Sequence, residues 1–246
     1  MNVNKRFVLI LIAALMGVIV TAMLGRWQLS RAAEKESLQA AISAKASMPA
    51  LSNQSLEMDV NPESLVHQPA LLNGQWREEF TVYLDNRQLN GKVGFFVFTP
   101  LQLENSSLLV WVQRGWVPRN FIKRDEVPKV DTDLGKVQVV GRIAPPPSKL
   151  YEPGPANSGF IRQNLDLESI QLKGNEKVYP AILQQQGKPS EGMLRDWPSI
   201  NFGVEKHYGY ALQWFGMCAL IVVLFVWFQV VHPLHQRYKK VSKHVQ

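Results

Sequence analysis

Five histidines and one cysteine hold most of the reactive chemistry available to this 246-residue chain. His232, His235 and His244 lie beyond the last apolar run, whereas His67 and His207 precede it. His232 and His235 are three apart, a spacing that could hold a metal, but Pro233 stands between them and the segment reads as a solvated basic tail. Cys218 is alone in an apolar stretch, so no intramolecular disulfide and no Cys-x-x-Cys redox pair can form. It reads as a small apolar residue in a helix. The chain has no Gly-x-Ser-x-Gly elbow and no glycine-rich phosphate loop, so nucleophilic hydrolysis and nucleotide chemistry find no support.

His207 is the exception. If a helix begins near Asn201, then His207, Tyr210, Ala211 and Trp214 share one face at i, i+3, i+4 and i+7. That face offers an imidazole, a small residue that permits close approach, and two aromatic walls. A haem or haem-like ring could sit there with His207 as axial ligand to the iron. Arg26 or Arg31, near the top of the first apolar segment, could meet a propionate. A plainer reading uses the same residues: Tyr208, Tyr210 and Trp214 anchor the helix at a membrane interface, and His207 hydrogen-bonds in the headgroup layer. Spacing alone favours the plainer reading.

These residues stand where apolar sequence meets a polar domain. Residues 7–24 carry no charge, and at ~1.5 Å per residue they cover about 27 Å, close to the ~30 Å hydrocarbon core. Residues 210–231 are a second uncharged run. Lys5 and Arg6 precede the first, and Arg237, Lys239, Lys240 and Lys243 follow the second. These six account for all but about one of the net +7 charges, so the basic balance reports membrane flanks and disfavours a nucleic-acid surface. The rule that cationic flanks stay inside puts residues 1–6 and the basic tail 232–246 in the cytoplasm, and residues 25–209 outside. Val20-Thr21-Ala22 resembles a signal cleavage site, but the apolar run is longer than a usual signal core, and retention as a span is favoured. No Ser- and Arg-rich presequence precedes it, which points to a bacterial plasma (inner) membrane.

Residues 25–48 read as a juxtamembrane helix that Met48-Pro49 stops. Trp27 reads as an interfacial anchor. From Leu65 the period changes to two. Strands are expected at residues 65–76 with a turn at Gly74, at 80–84 ending in a turn at Asp85-Asn86-Arg87, and at 92–103. Others are expected at 108–117, with Arg114-Gly115-Trp116 as a strand end and tight turn, at 136–143 and at 178–183. A helical turn is expected over 120–125 and a short helix over 166–172, capped by Asn164 or Asp166. The fold class that follows is α+β: two transmembrane helices flanking an extracytoplasmic, antiparallel β-rich domain at 49–209, a sheet or small barrel.

Several of these stretches resemble one family, the surfeit locus proteins that act as cytochrome c oxidase assembly factors. The matching blocks are Gly25-Arg26-Trp27-Gln28-Leu29-Ser30-Arg31, Val82-Tyr83-Leu84-Asp85-Asn86-Arg87, Gly94 with Thr99-Pro100, Arg114-Gly115-Trp116-Val117-Pro118, and residues 207–215 from His207 to Phe215. Gly141-Arg142 and Arg162-Gln163-Asn164 sit where the family has its later blocks. The resemblance implies a non-catalytic membrane factor that promotes maturation of the haem-copper oxidase catalytic subunit and handles haem a, with haem a synthase as a further partner. His207 matches the histidine at the start of the family's final helix, and Trp214 lies in the same block. One departure is visible: an aromatic-Lys pair common after the first arginine block is replaced here by Ala33-Glu34-Lys35. A rival class, a polysaccharide co-polymerase, shares two spans with both termini inside but needs long helical hairpins where this chain has strand-like sequence.

Overall fold

The computed structural model describes residues 5–58, 61–123, 126–152, 159–167, 176–198 and 202–236. It falls into two compact units, one of Met1–Ala40 with Ile200–Gln246 and one of Ala41–Ser199.

The first unit is a helix pair. Helix α1 runs Lys5–Ala46 and helix α3 runs Val204–Val226, continuing through a π-helical stretch at Trp227–Val231. Both are long and apolar enough to cross a membrane, and almost none of their apolar windows is covered by protein. They pair antiparallel, since Phe7 meets Phe225, Val18 meets Cys218 and Gln28 meets His207. Small residues permit the contact. A Cβ added at Gly25 would lie 2.8 Å from the Phe215 ring, and one at Gly17 would lie 3.1 Å from Ile221. On α3 the less exposed positions are Val204, His207, Ala211, Trp214, Cys218, Ile221 and Phe225. That alternation of three and four is the seam of a packed helix pair. The helix starts at Val204 after left-handed Gly203, and Asn201 lies outside the described residues.

The second unit is a seven-stranded sheet: β1 Pro69–Trp76, β2 Val82–Leu89, β3 Lys92–Leu103, β4 Leu108–Pro118, β5 Lys136–Ala144, β6 Ile161–Arg162 and β7 Lys177–Gln185. Strand order is β1-β5-β7-β4-β3-β2-β6, and a further β1–β3 pairing at Gly74–Trp76 closes β1, β5, β7, β4 and β3 into a ring. All five ring strands supply the barrel interior, including Leu72, Leu101, Val112, Val139, Ile143 and Leu183. A second cluster of Val82, Leu84, Phe98, Trp111 and Ile182 covers the opposite face of β2, β3, β4 and β7. Because both faces are covered, β3 and β4 read as nearly unbroken buried runs rather than alternating ones. Strand content over 69–185 argues against the helical-hairpin co-polymerase class.

The sheet is mixed, which corrects the antiparallel expectation. Strand β7 runs parallel to β4, and β6 runs parallel to β2. Period-two alternation reports which face is buried and carries no strand direction. Direction follows from the long β4-to-β7 connection, which is interrupted by β5. Other local expectations change for similar reasons. Asp85-Asn86-Arg87 is a bulge inside β2, with Asn86 at φ 58°, and the hairpin turn is Asn90-Gly91 at φ 50° and 75°. Gly74 lies within β1, where a Cβ would sit 2.2 Å from the Gln102 carbonyl oxygen. Residues 114–116 are interior to β4. Residues 120–123 form a side-chain-capped turn on Asn120, not a helical one, and Arg124 and Asp125 lie outside the described residues. Most of the expected 166–172 helix also lies outside them, and Asn164 spends its side chain on Leu150. The stretch after Leu51 includes a short helix α2, Asn53–Glu57, closed by a Ser52–Ser55 capping box.

His67 holds a left-handed backbone at φ 78°, and its N–H donates to the Ile143 carbonyl. Burial pushes its imidazole below the ordinary value, and the cations Arg142 and Lys45 push the same way. Its neutral form is therefore favoured in the folded state. The unfolded chain takes up a proton first as pH falls through about 6.5, so folding loses stability there. Thermal melts in detergent should show Tm falling as pH drops from about 6.5 towards 5, and His67→Asn, which tolerates positive φ, should flatten that fall. Equal slopes in the two proteins would remove His67 as the cause.

Candidate functional site

His207 sits in the first turn of α3, on the seam facing α1. Its Nδ1 lies 2.7 Å from Oε1 of Gln28. An amide oxygen only accepts, so Nδ1 is the donor in this contact, and Nε2 is the ring nitrogen that a neutral imidazole would offer to a ligand. A second partner that fixes the tautomer in this way is what a metal-ligating histidine requires. Two neighbouring contacts hold the same level of the helix pair. Tyr208 Oη donates to Glu36 Oε1 at 2.9 Å, and Lys35 Nζ donates to the Phe202 carbonyl at 2.9 Å.

The structure brings together His207, Ala211 and Trp214 along the seam, Ala211 being 2% exposed. It does not bring Tyr210 with them, because that ring is 51% exposed beside the seam. Arg31 points away into an exposed ion pair with Glu34 at 2.7 Å. Trp27 is exposed, as an interfacial anchor would be. Close contact of Gly25 with Phe215 leaves no slot for a flat ring between the helices at that level. His207 offers a single side-chain nitrogen at this position. Among the described residues no group of three or more His, Cys, Asp or Glu side chains is arranged to hold a metal ion.

A second constellation lies in the barrel and was not legible as such. Arg114 is fully buried in β4. It donates to Glu191 at 2.9 Å, Thr132 at 2.8 Å and the Asp131 carbonyl at 3.1 Å, and its guanidinium stacks 4.5 Å from the Trp76 ring. Burial pushes it below the ordinary arginine value, and Glu191 opposes that. Arg195 shares Glu191 at 2.9 Å and donates to the Arg114 carbonyl at 2.7 Å. Trp116 Nε1 donates to the Arg87 carbonyl at 2.9 Å, which joins the β2 and β4 motif blocks. These contacts tie β4 to β1, to β2 and to the loops that hold Asp131 and Glu191, which is a structural role. The signal available in sequence was an arginine inside an otherwise apolar strand.

A helix pair of membrane-spanning length and a closed mixed barrel define the class: a two-helix protein carrying one β-rich domain. A family model described as the SURF1 family matches residues 15–219, covering both helices and the barrel. The chain belongs to that family. A SURF1-like protein of Rickettsia felis is 27% identical over 214 residues, covering 82% of this chain and 89% of that protein. One from Rickettsia prowazekii is 25% identical over 85% of this chain and 84% of its own length. One from Monosiga brevicollis is 22% identical over 85% and 83%.

Proposed function

We propose that this chain is a membrane-bound, non-catalytic assembly factor for a haem-copper oxidase, and that His207 is its contact to haem a. On this reading α1 and α3 cross a bacterial plasma membrane with both termini in the cytoplasm, and the barrel lies outside. Family membership and two helices of spanning length support that placement. The observation that carries the cofactor reading is the Gln28–His207 hydrogen bond, which engages Nδ1 and makes Nε2 the nitrogen that would bind iron. Haem bound there would supply an iron centre awaiting transfer to the oxidase catalytic subunit. Gln28 orients the imidazole, and because the helices are in close contact beyond it at Gly25 and Phe215, haem would meet the histidine at the start of α3 and not between the helices. Arg31 would have to leave Glu34 before meeting a propionate, an exposed pair that costs well under ~1 kcal/mol to open. Haem a synthase is the natural donor and the oxidase catalytic subunit the natural acceptor.

Cells carrying His207→Ala should accumulate the protein in membranes at the normal level while oxidase haem a content and activity fall. Normal oxidase maturation in that strain would remove the histidine from the account and leave only the scaffold role.

A further inference from the structure

After β4 the chain enters a loop towards β5 in which residues 119–123 make local polar contacts. At its base Arg119 donates to Asp85 at 3.1 Å, and its guanidinium lies 5.9 Å from the Phe95 ring centroid. Next, Asn120 Oδ1 accepts from the backbone N–H groups of Ile122 and Lys123 at 3.0 and 3.2 Å, forming an Asx turn. The Asn120 amide donates to Glu126 at 3.2 Å, which draws the two limbs together. Behind the tip, Val127 and Val130 pack against the buried cluster of Tyr83, Phe95 and Val117.

Two adjacent large apolar residues stand out from this turn. Phe121 is 70% exposed and Ile122 is 93% exposed. Lys123 follows directly. It pairs with Glu126 at 3.8 Å, with both side chains largely in solvent, so this pair is weak and the ammonium can exchange it for another anion.

An aromatic and an aliphatic side chain exposed together, with a lysine at the next position, match the boundary layer of an anionic bilayer. The apolar pair fits below the headgroups, and the cation fits at phosphate level. We propose that residues 121–123 dip into the surface of an anionic phospholipid membrane, giving the chain a third lipid contact besides its two helices. This rests on the reading of α1 and α3 as membrane spans. In a tethered barrel such a contact would limit rotation about the tether.

The test uses the full chain with Cys218→Ala and a single new thiol, Ile122→Cys, labelled with an environment-sensitive dye and reconstituted into phosphatidylcholine–phosphatidylglycerol vesicles. Val140→Cys, on the exposed face of β5, is the control position. The dye at residue 122 should emit to the blue of the control and lose intensity when the acyl chains are brominated. Adding Phe121→Ser and Lys123→Ser should reverse both effects. Water-like, unquenched emission at 122 in a chain that resists carbonate extraction would overturn the loop proposal alone. A blue shift without quenching by brominated lipid would also overturn it, by showing protein contact such as a second copy of this chain. Extraction of the chain by carbonate would bring down the spanning reading, and the loop proposal with it.

Discussion

Arg114→Ala should lower the Tm of the barrel by roughly 6–20 °C. The side chain is fully buried and sits at the centre of a network in which one carboxylate, Glu191, serves two guanidinium groups. Removing one member of a buried ion pair costs about 3–5 kcal/mol, because the polar groups left behind lose their partner without regaining water. Here the Asp131 carbonyl and the Thr132 hydroxyl lose a donor, Trp76 loses the cation over its ring, and a cavity opens in β4. A domain of this size shifts its Tm by about 2–4 °C per kcal/mol. Arg195 keeps its bond to Glu191, so the carboxylate is not wholly abandoned, and the lower half of that range is the better estimate. Differential scanning fluorimetry of the full chain in detergent reads the effect. A Tm within 2 °C of the parent would show that the network contributes little.

Gly94→Ala should be nearly as damaging, although it adds a single methyl group. An added Cβ would lie 2.2 Å from the Val117 carbonyl oxygen and 2.5 Å from the Trp116 indole. The carbonyl belongs to the β3–β4 ladder, where Gly94 stands opposite Pro118, so it cannot step aside without opening the register. The indole is pinned by its bond to the Arg87 carbonyl. Overpacking ordinarily costs about 1–3 kcal/mol, and a backbone obstacle puts this site at the upper end. Loss of Trp116 seating should also appear as a red shift in intrinsic fluorescence. An unchanged spectrum with an unchanged Tm would mean the two strands separate more easily than their pairing implies.

Both substitutions fall on motif blocks, and in the sequence Gly74 and the Arg114-Gly115-Trp116 stretch look like turns while Gly94 sits in an expected strand. Gly74, Gly94, Gly115 and Gly141 stand where another backbone or side chain comes too close for a Cβ, not where the chain reverses. A glycine in a strand carries the same letter in either case, and only the neighbouring strand decides. The reversals fall instead at Asn90-Gly91, an Asn-Gly pair whose meaning is local. Helix α1 was legible because an apolar run and an unbroken stretch of helix formers report their own conformation. The parallel pairing of β4 with β7 was not, because direction depends on a connection of many residues with β5 inside it.

The candidate site divides along the same line. His207, Ala211 and Trp214 share a face because helical spacing fixes it, and the seam keeps them together. Tyr210 is only one position from Ala211, yet that 100° step carries its ring off the seam. Gln28, which sets the histidine's tautomer, is 179 residues away in sequence. No spacing rule links the two, although Gln28 belongs to the first motif block. Arg31 shows a local effect instead, pairing with Glu34 three residues on in an exposed contact.

The most direct measurement is the visible absorption spectrum of the chain purified in mild detergent from cells that make haem a, beside the same preparation of His207→Ala. The account predicts a Soret band in the parent protein, bound in proportion to the chain, and its loss in the variant at equal yield and unchanged helix content by circular dichroism. A Soret band of equal strength in both proteins, or its absence from both when haem a is abundant in the membrane, would contradict the assignment of His207 as the iron ligand.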